Sequence, residues 1–192
     1  MSSLFSDPQW QRGSTLLNGE NIDLDVNGNP IAGTETIGSI KVFQDVDPVT
    51  KKKLSNRLVY CVAARYVGSS SSFNASGADK GKSYLLDSSN PLGTFQTAAV
   101  VADSNNYKAI GVLDEYLNTT VRPNDIVWLV IKGPVTVNKA TGTALVAGAA
   151  TMLTTGGSTT AWSSTNVPNG YALAAAASAD TTARVYLVSD EV

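Results

Sequence analysis

Residues 126–131, Ile-Val-Trp-Leu-Val-Ile, are apolar at every position, and the chain then turns at Gly133-Pro134 into the alternation Val135, Thr136, Val137, Asn138. The run falls far short of the roughly 20 residues that span a membrane as a helix. It is rich in β-branched and aromatic residues, and Pro123-Asn124-Asp125 and Gly133-Pro134 bound it. Such a stretch reads as a strand covered on both faces, then a sharp corner, then a half-buried strand. A chain organised around it is expected to be mainly β, a small β-barrel or sandwich.

The rest of the sequence fits that expectation from Ile37 onward. "IGSIKVFQDV" and "RLVYCVAARYV" read as strands joined by "DPVTKKKLSN", whose Asp-Pro opening and Lys51–Lys53 run mark an exposed turn that blunts edge pairing. Further strands are expected in "TFQTAAVVA", "YKAIGVLDEYL", "TALVAGAATMLT", "GYALAAAA" and "ARVYLVS", separated by turns such as Gly156-Gly157 and Asn169-Gly170. The alanines 174–177 favour helix by propensity, but the run is too short to hold one alone and is assigned to a strand. Residues 68–83, "GSSSSFNASGADKGKS", read as a flexible, low-complexity loop.

Residues 1–35 differ from the remainder. Leu4, Phe5, Trp10, Leu16 and Leu17 are scattered among polar residues without helical or strand period, so the segment cannot build a core of its own. It reads as an extended N-terminal arm (1–35) whose apolar residues dock elsewhere, attached to a β-rich domain (36–192).

Composition removes several function classes. The 192-residue chain carries 14 Lys+Arg against 16 Asp+Glu, a net charge of −2, so it has no basic field for nucleic acid. It has no histidine, which removes the commonest general base and zinc ligand. Cys61 stands alone, so no internal disulfide forms, and inside "RLVYCVAARYV" it reads as a buried, inert thiol. The N-terminus shows no signal-peptide pattern, and synthesis in a cytoplasm is expected.

Four motifs suggest chemistry and fail on spacing or setting. "DLDVNG" at 23–28 begins like a calcium loop, yet its twelfth position is Thr34 rather than Glu, and Asn27-Gly28 reads better as a hairpin turn. "GADKGKS" at 77–83 is one residue short of a phosphate-binding loop and follows a polar tract instead of a strand. The acid pairs Asp45 with Asp47 and Asp114 with Glu115 read as solvated acids, the latter pointing opposite ways if they lie on a strand. Asn74-Ala75-Ser76 and Asn118-Thr119-Thr120 fit the glycosylation pattern, which has no meaning without secretion. No catalytic constellation, metal or cofactor site is expected.

The C-terminal half, in order, reads "YKAIGVLDEYL", "RPNDIVWLVIKGPVTV", "ALVAGAATMLTTGG" and "NGYALAAAASADTTARVYLV". An "IGV" strand, a polar step into "V-W-L-V-I-x-G", a "V-x-G" turn and a closing "G-x-A-L … R-V-x-L" pair resemble the capsid decoration (cement) proteins of tailed bacteriophages, over roughly residues 107–188. The resemblance implies a β-rich, non-catalytic module that trimerises and binds the major capsid protein on the outside of the phage head. The arm would then strap onto shell or neighbouring subunits, with Leu4, Phe5, Trp10 and Arg12 as the contact residues. Two other readings stand beside it. One is a carbohydrate-binding or adhesin-like β-module of a phage tail or cell surface, which needs a surface row of aromatics that Trp10, Trp128 and Trp162 supply poorly. The other is a hydrolase working with carboxylates alone.

Overall fold

The structure, a computed structural model, describes residues 12, 15–17, 38, 40–66, 73–74, 80–86, 94–99, 109–123, 125–154, 156–163 and 168–188. In chain order the strands are β1 (Thr15–Leu17), β2 (Ile40–Val46), β3 (Lys53–Tyr66), β4 (Phe73–Asn74), β5 (Ser83–Leu86) and β6 (Thr94–Ala99). They continue with β7 (Ala109–Leu113), β8 (Thr120–Val121), β9 (Ile126–Asn138), β10 (Ala150–Leu153), β11 (Thr159–Ala161), β12 (Gly170–Ala172) and β13 (Thr182–Leu187). No helix occurs among the described residues.

An 11-stranded sheet runs in the order β11-β10-β12-β13-β9-β7-β5-β6-β3-β2, with β1 beside β9, while β4 and β8 form a separate pair. The ladders are antiparallel except β3 with β6. The ends of the path, β11 and β2, do not meet, so the sheet is not closed into a barrel. β9 instead pairs with β3 across it, Ile126 facing Arg65 and Val130 facing Cys61.

That cross-pairing explains the uninterrupted apolar run. Ile126, Trp128 and Val130 enter one core with Val59, Cys61 and Ala63 of β3, while Val127, Leu129 and Ile131 enter a second with Val62, Ala64 and Tyr66. Side chains alternate across a strand, so a strand between two cores must be apolar at every position. Trp128, 1% exposed, anchors the first core, with the Phe43 ring edge-on at 5.5 Å. An aromatic buried in this way is worth about 3–5 kcal/mol on truncation.

The corner lies inside one continuous strand. Cys61 faces Val130 but Tyr60 faces Lys132, which leaves Ile131 as the extra residue of a β-bulge. The bulge shifts the parity, so the odd residues Val135 and Val137 now enter the first core where even residues did before. Beyond it β9 changes partner to β13, from Gly133 opposite Leu187 to Asn138 opposite Thr182. Gly133 has φ 106, and a Cβ there would stand 2.3 Å from the Leu58 carbonyl oxygen. Only glycine fits that crossing.

One strand assignment changes. Residues 174–177 are neither strand nor helix: only Ala176 bridges, exchanging backbone hydrogen bonds of 2.9 and 3.0 Å with Leu145. Leu145 and Ala176 share the first core, so a small residue there serves packing rather than a ladder. Within 68–83, β4 pairs with β8, and the last residues are built into the sheet. Asn138 N–H donates to the Gly81 carbonyl at 2.8 Å, Leu113 N–H to that of Lys82 at 3.0 Å, and Ser83 N–H to that of Gly157 at 2.8 Å. Residues 68–72 and 75–79 lie outside the described residues.

Candidate functional site

Three of the four acids read from sequence as solvated are buried, Asp47 at the hairpin tip being the exception. Asp45, Asp114 and Glu115 are 1%, 1% and 7% exposed, and the structure gathers them round two arginines. Asp114 and Glu115 do not lie on a strand. They sit in the turn after β7, where Tyr116 N–H donates to Asp114 Oδ1 at 3.2 Å and Leu117 N–H to the Asp114 carbonyl at 3.0 Å. The turn cancels strand alternation, so both carboxylates reach the same partner. Arg12 Nη2 donates to Asp114 Oδ1 at 3.0 Å and to Glu115 Oε1 at 3.4 Å, and its guanidinium lies 4.9 Å from the centre of the Tyr116 ring.

From β13, Arg184 completes the cluster. Its Nη1 donates to Glu115 Oε1 and its Nη2 to Asp45 Oδ1, each at 2.5 Å. The remaining oxygens are also used: Glu115 Oε2 accepts the Thr136 N–H at 2.9 Å, and Asp45 Oδ2 accepts the Ser55 hydroxyl at 2.7 Å. Burial alone would pull Arg12 down, but Asp114 and then Glu115 reverse this and hold it above the ordinary guanidinium range. Arg184 follows the same pattern through Glu115 and Asp45. Cys61 lies within reach of the same field; burial first, then Asp114, push its thiol up. A general acid or base needs a carboxylate open to substrate, and here each is engaged by cations and donors. The cluster acts as a clamp joining the arm, β2, the β7 turn, β9 and β13.

Arg12 is thus turned inward onto its own chain. The neighbouring β1 lies along β9, Thr15 opposite Val127 and Leu17 opposite Ile126. The root of the arm is fastened to the domain at two places, by charge and by strand pairing. Leu4, Phe5 and Trp10 lie outside the described residues, as does the 23–35 segment with its calcium-like spacing. Among the described residues, no group of three or more His, Cys, Asp or Glu could hold a metal ion.

The clamp was missed in sequence because its members stand far apart; Arg184 and Asp45 are separated by 139 positions. A signal was present all the same. Asp45 shares strand parity with Phe43, whose ring packs on Trp128, so this acid had to point inward.

The exposed apolar residues concentrate on the β2–β3 hairpin. Ile40, Val42, Leu54 and Leu58 are each close to half exposed. Ile40, Val42 and Gln44 project from the outer side of β2, opposite Val62, Tyr60 and Leu58 of β3. Among the described residues β2 ends the sheet path, with β3 as its partner. The hairpin tip is the exposed turn expected from sequence: Asp47 Oδ1 accepts the Val49 and Thr50 N–H groups, and Lys51, Lys52 and Lys53 are exposed. On the inner side Arg57 donates to the Tyr171 hydroxyl at 2.8 Å and lies over Tyr171 and Tyr186, which stack on each other at 5.1 Å.

Residues 80–187 match the family model described as phage cement protein. The match begins well before the stretch that carried the resemblance and takes in β5 and β6. Neither the curated proteins nor the solved structures give a match. With more than half of its length matched, the chain belongs to the phage cement protein family.

Proposed function

We propose that this cement-family chain is a capsid decoration protein, which as a homotrimer binds the major capsid protein on the outside of the head and stabilises the particle. The family match over 80–187 carries the reading. The chemistry of the chain is consistent with it. The sole cysteine is buried and the acids of the clamp are neutralised, so cohesion would come from non-covalent contacts alone and the protein would not be an enzyme. A closed trimer multiplies modest contacts by symmetry and effective concentration.

In this reading the arm is the strap. Arg12 and β1 fix its root, and Leu4, Phe5 and Trp10 supply apolar anchors of the kind that dominate interfaces. Synthesis would occur in the host cytoplasm and the final location would be the virion surface. A glycan-binding module is less well supported: Trp128 is buried, and Tyr171 and Tyr186 cover each other under Arg57. The test is binding of the purified chain to undecorated capsids, read by sedimentation and particle melting. Saturable binding with a raised melting temperature is expected, and no binding would refute the proposal.

A further inference from the structure

Folding sorts the charges of this chain. Asp45, Asp114, Glu115 and Asp125 are buried, whereas Lys51, Lys52, Lys53 and Arg57 are exposed. Those four cations all fall within residues 47–57, where Asp47 is the one acid, in a chain of net charge −2. Asp47 is engaged by the turn itself: its Oδ1 accepts the N–H groups of Val49 at 2.8 Å and Thr50 at 3.2 Å. The backbone closes the same turn, with Lys51 N–H donating to the Asp47 carbonyl at 2.8 Å and Asp47 N–H to that of Lys52 at 2.9 Å. Among the described residues none of the three lysines has an ion-pair partner. At the apex Val49 is 83% exposed. The base of the hairpin is fixed as firmly, Arg184 donating to Asp45 and Arg57 to the Tyr171 hydroxyl.

Lys51 supplies a second observation. Its φ of 60 is the only positive value on a non-glycine residue among the described residues. The left-handed region suits glycine or asparagine, so a lysine there is held against its preference. A turn that served only to keep the hairpin soluble would be easier to make with glycine. Strain kept at an exposed tip points to a task for the side chain. We propose that the 47–53 tip is a preformed basic knob that docks into an acidic cleft of the capsid shell, Val49 on its apolar floor and Lys51, Lys52 and Lys53 against its carboxylates. Three cations round one apolar side chain suit a protein surface, whereas a protein gripping DNA makes roughly 6–10 phosphate contacts. The braced turn leaves little to be ordered on docking. Exposed charge of one sign speeds encounter and sets orientation more than it adds affinity. The inference rests on the reading that the chain decorates capsids, and names a surface and a charge that meet the shell beside the arm.

The test measures association with undecorated capsids for the unaltered chain, for Lys51→Gly, and for a triple variant with Lys51→Glu, Lys52→Glu and Lys53→Glu. Each is run at about 0.1 M and about 1 M salt, between which the screening length falls from about 10 to about 3 Å. At the lower salt the triple variant should associate at least about tenfold more slowly, with its circular dichroism spectrum unchanged, and at the higher salt the gap should close. Lys51→Gly should slow association about twofold while its melting temperature stays level or rises, because glycine relieves the turn. Equal association by the triple variant, or a deficit that persists undiminished in high salt, overturns the knob and leaves decoration standing. A marked fall in the melting temperature of Lys51→Gly would make that lysine a structural residue and overturns the knob as well. Retention on phosphatidylglycerol vesicles that the triple variant loses, with capsid association unaffected, assigns the tip to a lipid surface and also overturns it. An unaltered chain that associates with capsids at neither salt refutes decoration itself, and the knob with it.

Discussion

Arg184 on β13 and Asp45 on β2 meet at 2.5 Å although their strands are not neighbours in the sheet. The same guanidinium holds Glu115, so one side chain ties the last strand of the chain to its first long one and to the turn that receives Arg12. Removing it would leave Asp45 buried without the cation it pairs with, and Glu115 with Arg12 alone. Breaking one partner of a buried pair costs about 3–5 kcal/mol, whereas replacing a whole cluster by apolar or neutral groups costs far less. Arg184→Met should therefore lose about 3 kcal/mol in urea unfolding, and the triple change with Asp45→Asn and Glu115→Gln should recover much of it. A loss below about 1 kcal/mol for Arg184→Met would show that the clamp is dispensable.

The crossing at Gly133 gives a second expectation. Its φ of 106 and the 2.3 Å approach of a Cβ to the Leu58 carbonyl act together, and the oxygen is backbone, which cannot swing away. Gly133→Ala should destabilise by more than about 2 kcal/mol, a severe value for a single added methyl. Gly142 also has positive φ, but a Cβ there would meet nothing within 4 Å, so Gly142→Ala should cost clearly less. Equal melting temperatures for the two variants would contradict the tight crossing.

Alkaline pH should unfold the protein through Cys61 and Tyr116. Burial pushes both upward, Tyr116 to about 12 with Glu115 adding to the effect. For a group whose folded value is raised, the stability is complete below the unfolded value and is lost as pH rises toward the folded one. An unfolded thiol ionises near 8.5 and an unfolded phenol near 10, so the urea midpoint should hold to about pH 8.5 and fall between there and about pH 12. Cys61→Ala should remove the earlier part of the fall. Native Cys61 should also resist alkylation at pH 8 and react once urea unfolds the chain. Rapid modification of the folded protein would contradict its burial.

The central strand was legible because its cause is local: a run apolar at every position demands cover on both faces, and β3 and the two cores supply it. The lysine turn was legible for the same reason. The clamp was not, since ion pairs leave no period in sequence, and Asp114 and Glu115 were misread by assuming strand alternation where the chain in fact turns. Alanines 174–177 were misassigned because propensity and pattern both gave way to a single tertiary contact between Ala176 and Leu145. The arm residues Leu4, Phe5 and Trp10 remain a proposal about partners that no single chain contains.

The most direct test of the account is attachment of an arm-truncated chain to undecorated capsids. Arg12 belongs to the clamp, so the cut should stop at residue 11 to keep its ion pairs with Asp114 and Glu115 intact. The protein lacking residues 1–11 should keep the strand-rich circular dichroism and the melting temperature of the full chain. It should bind capsids at least tenfold more weakly and protect them less against heat. Occupancy and particle melting equal to those of the full-length chain would contradict the arm as the strap, and failure of the full-length chain to bind would contradict decoration itself.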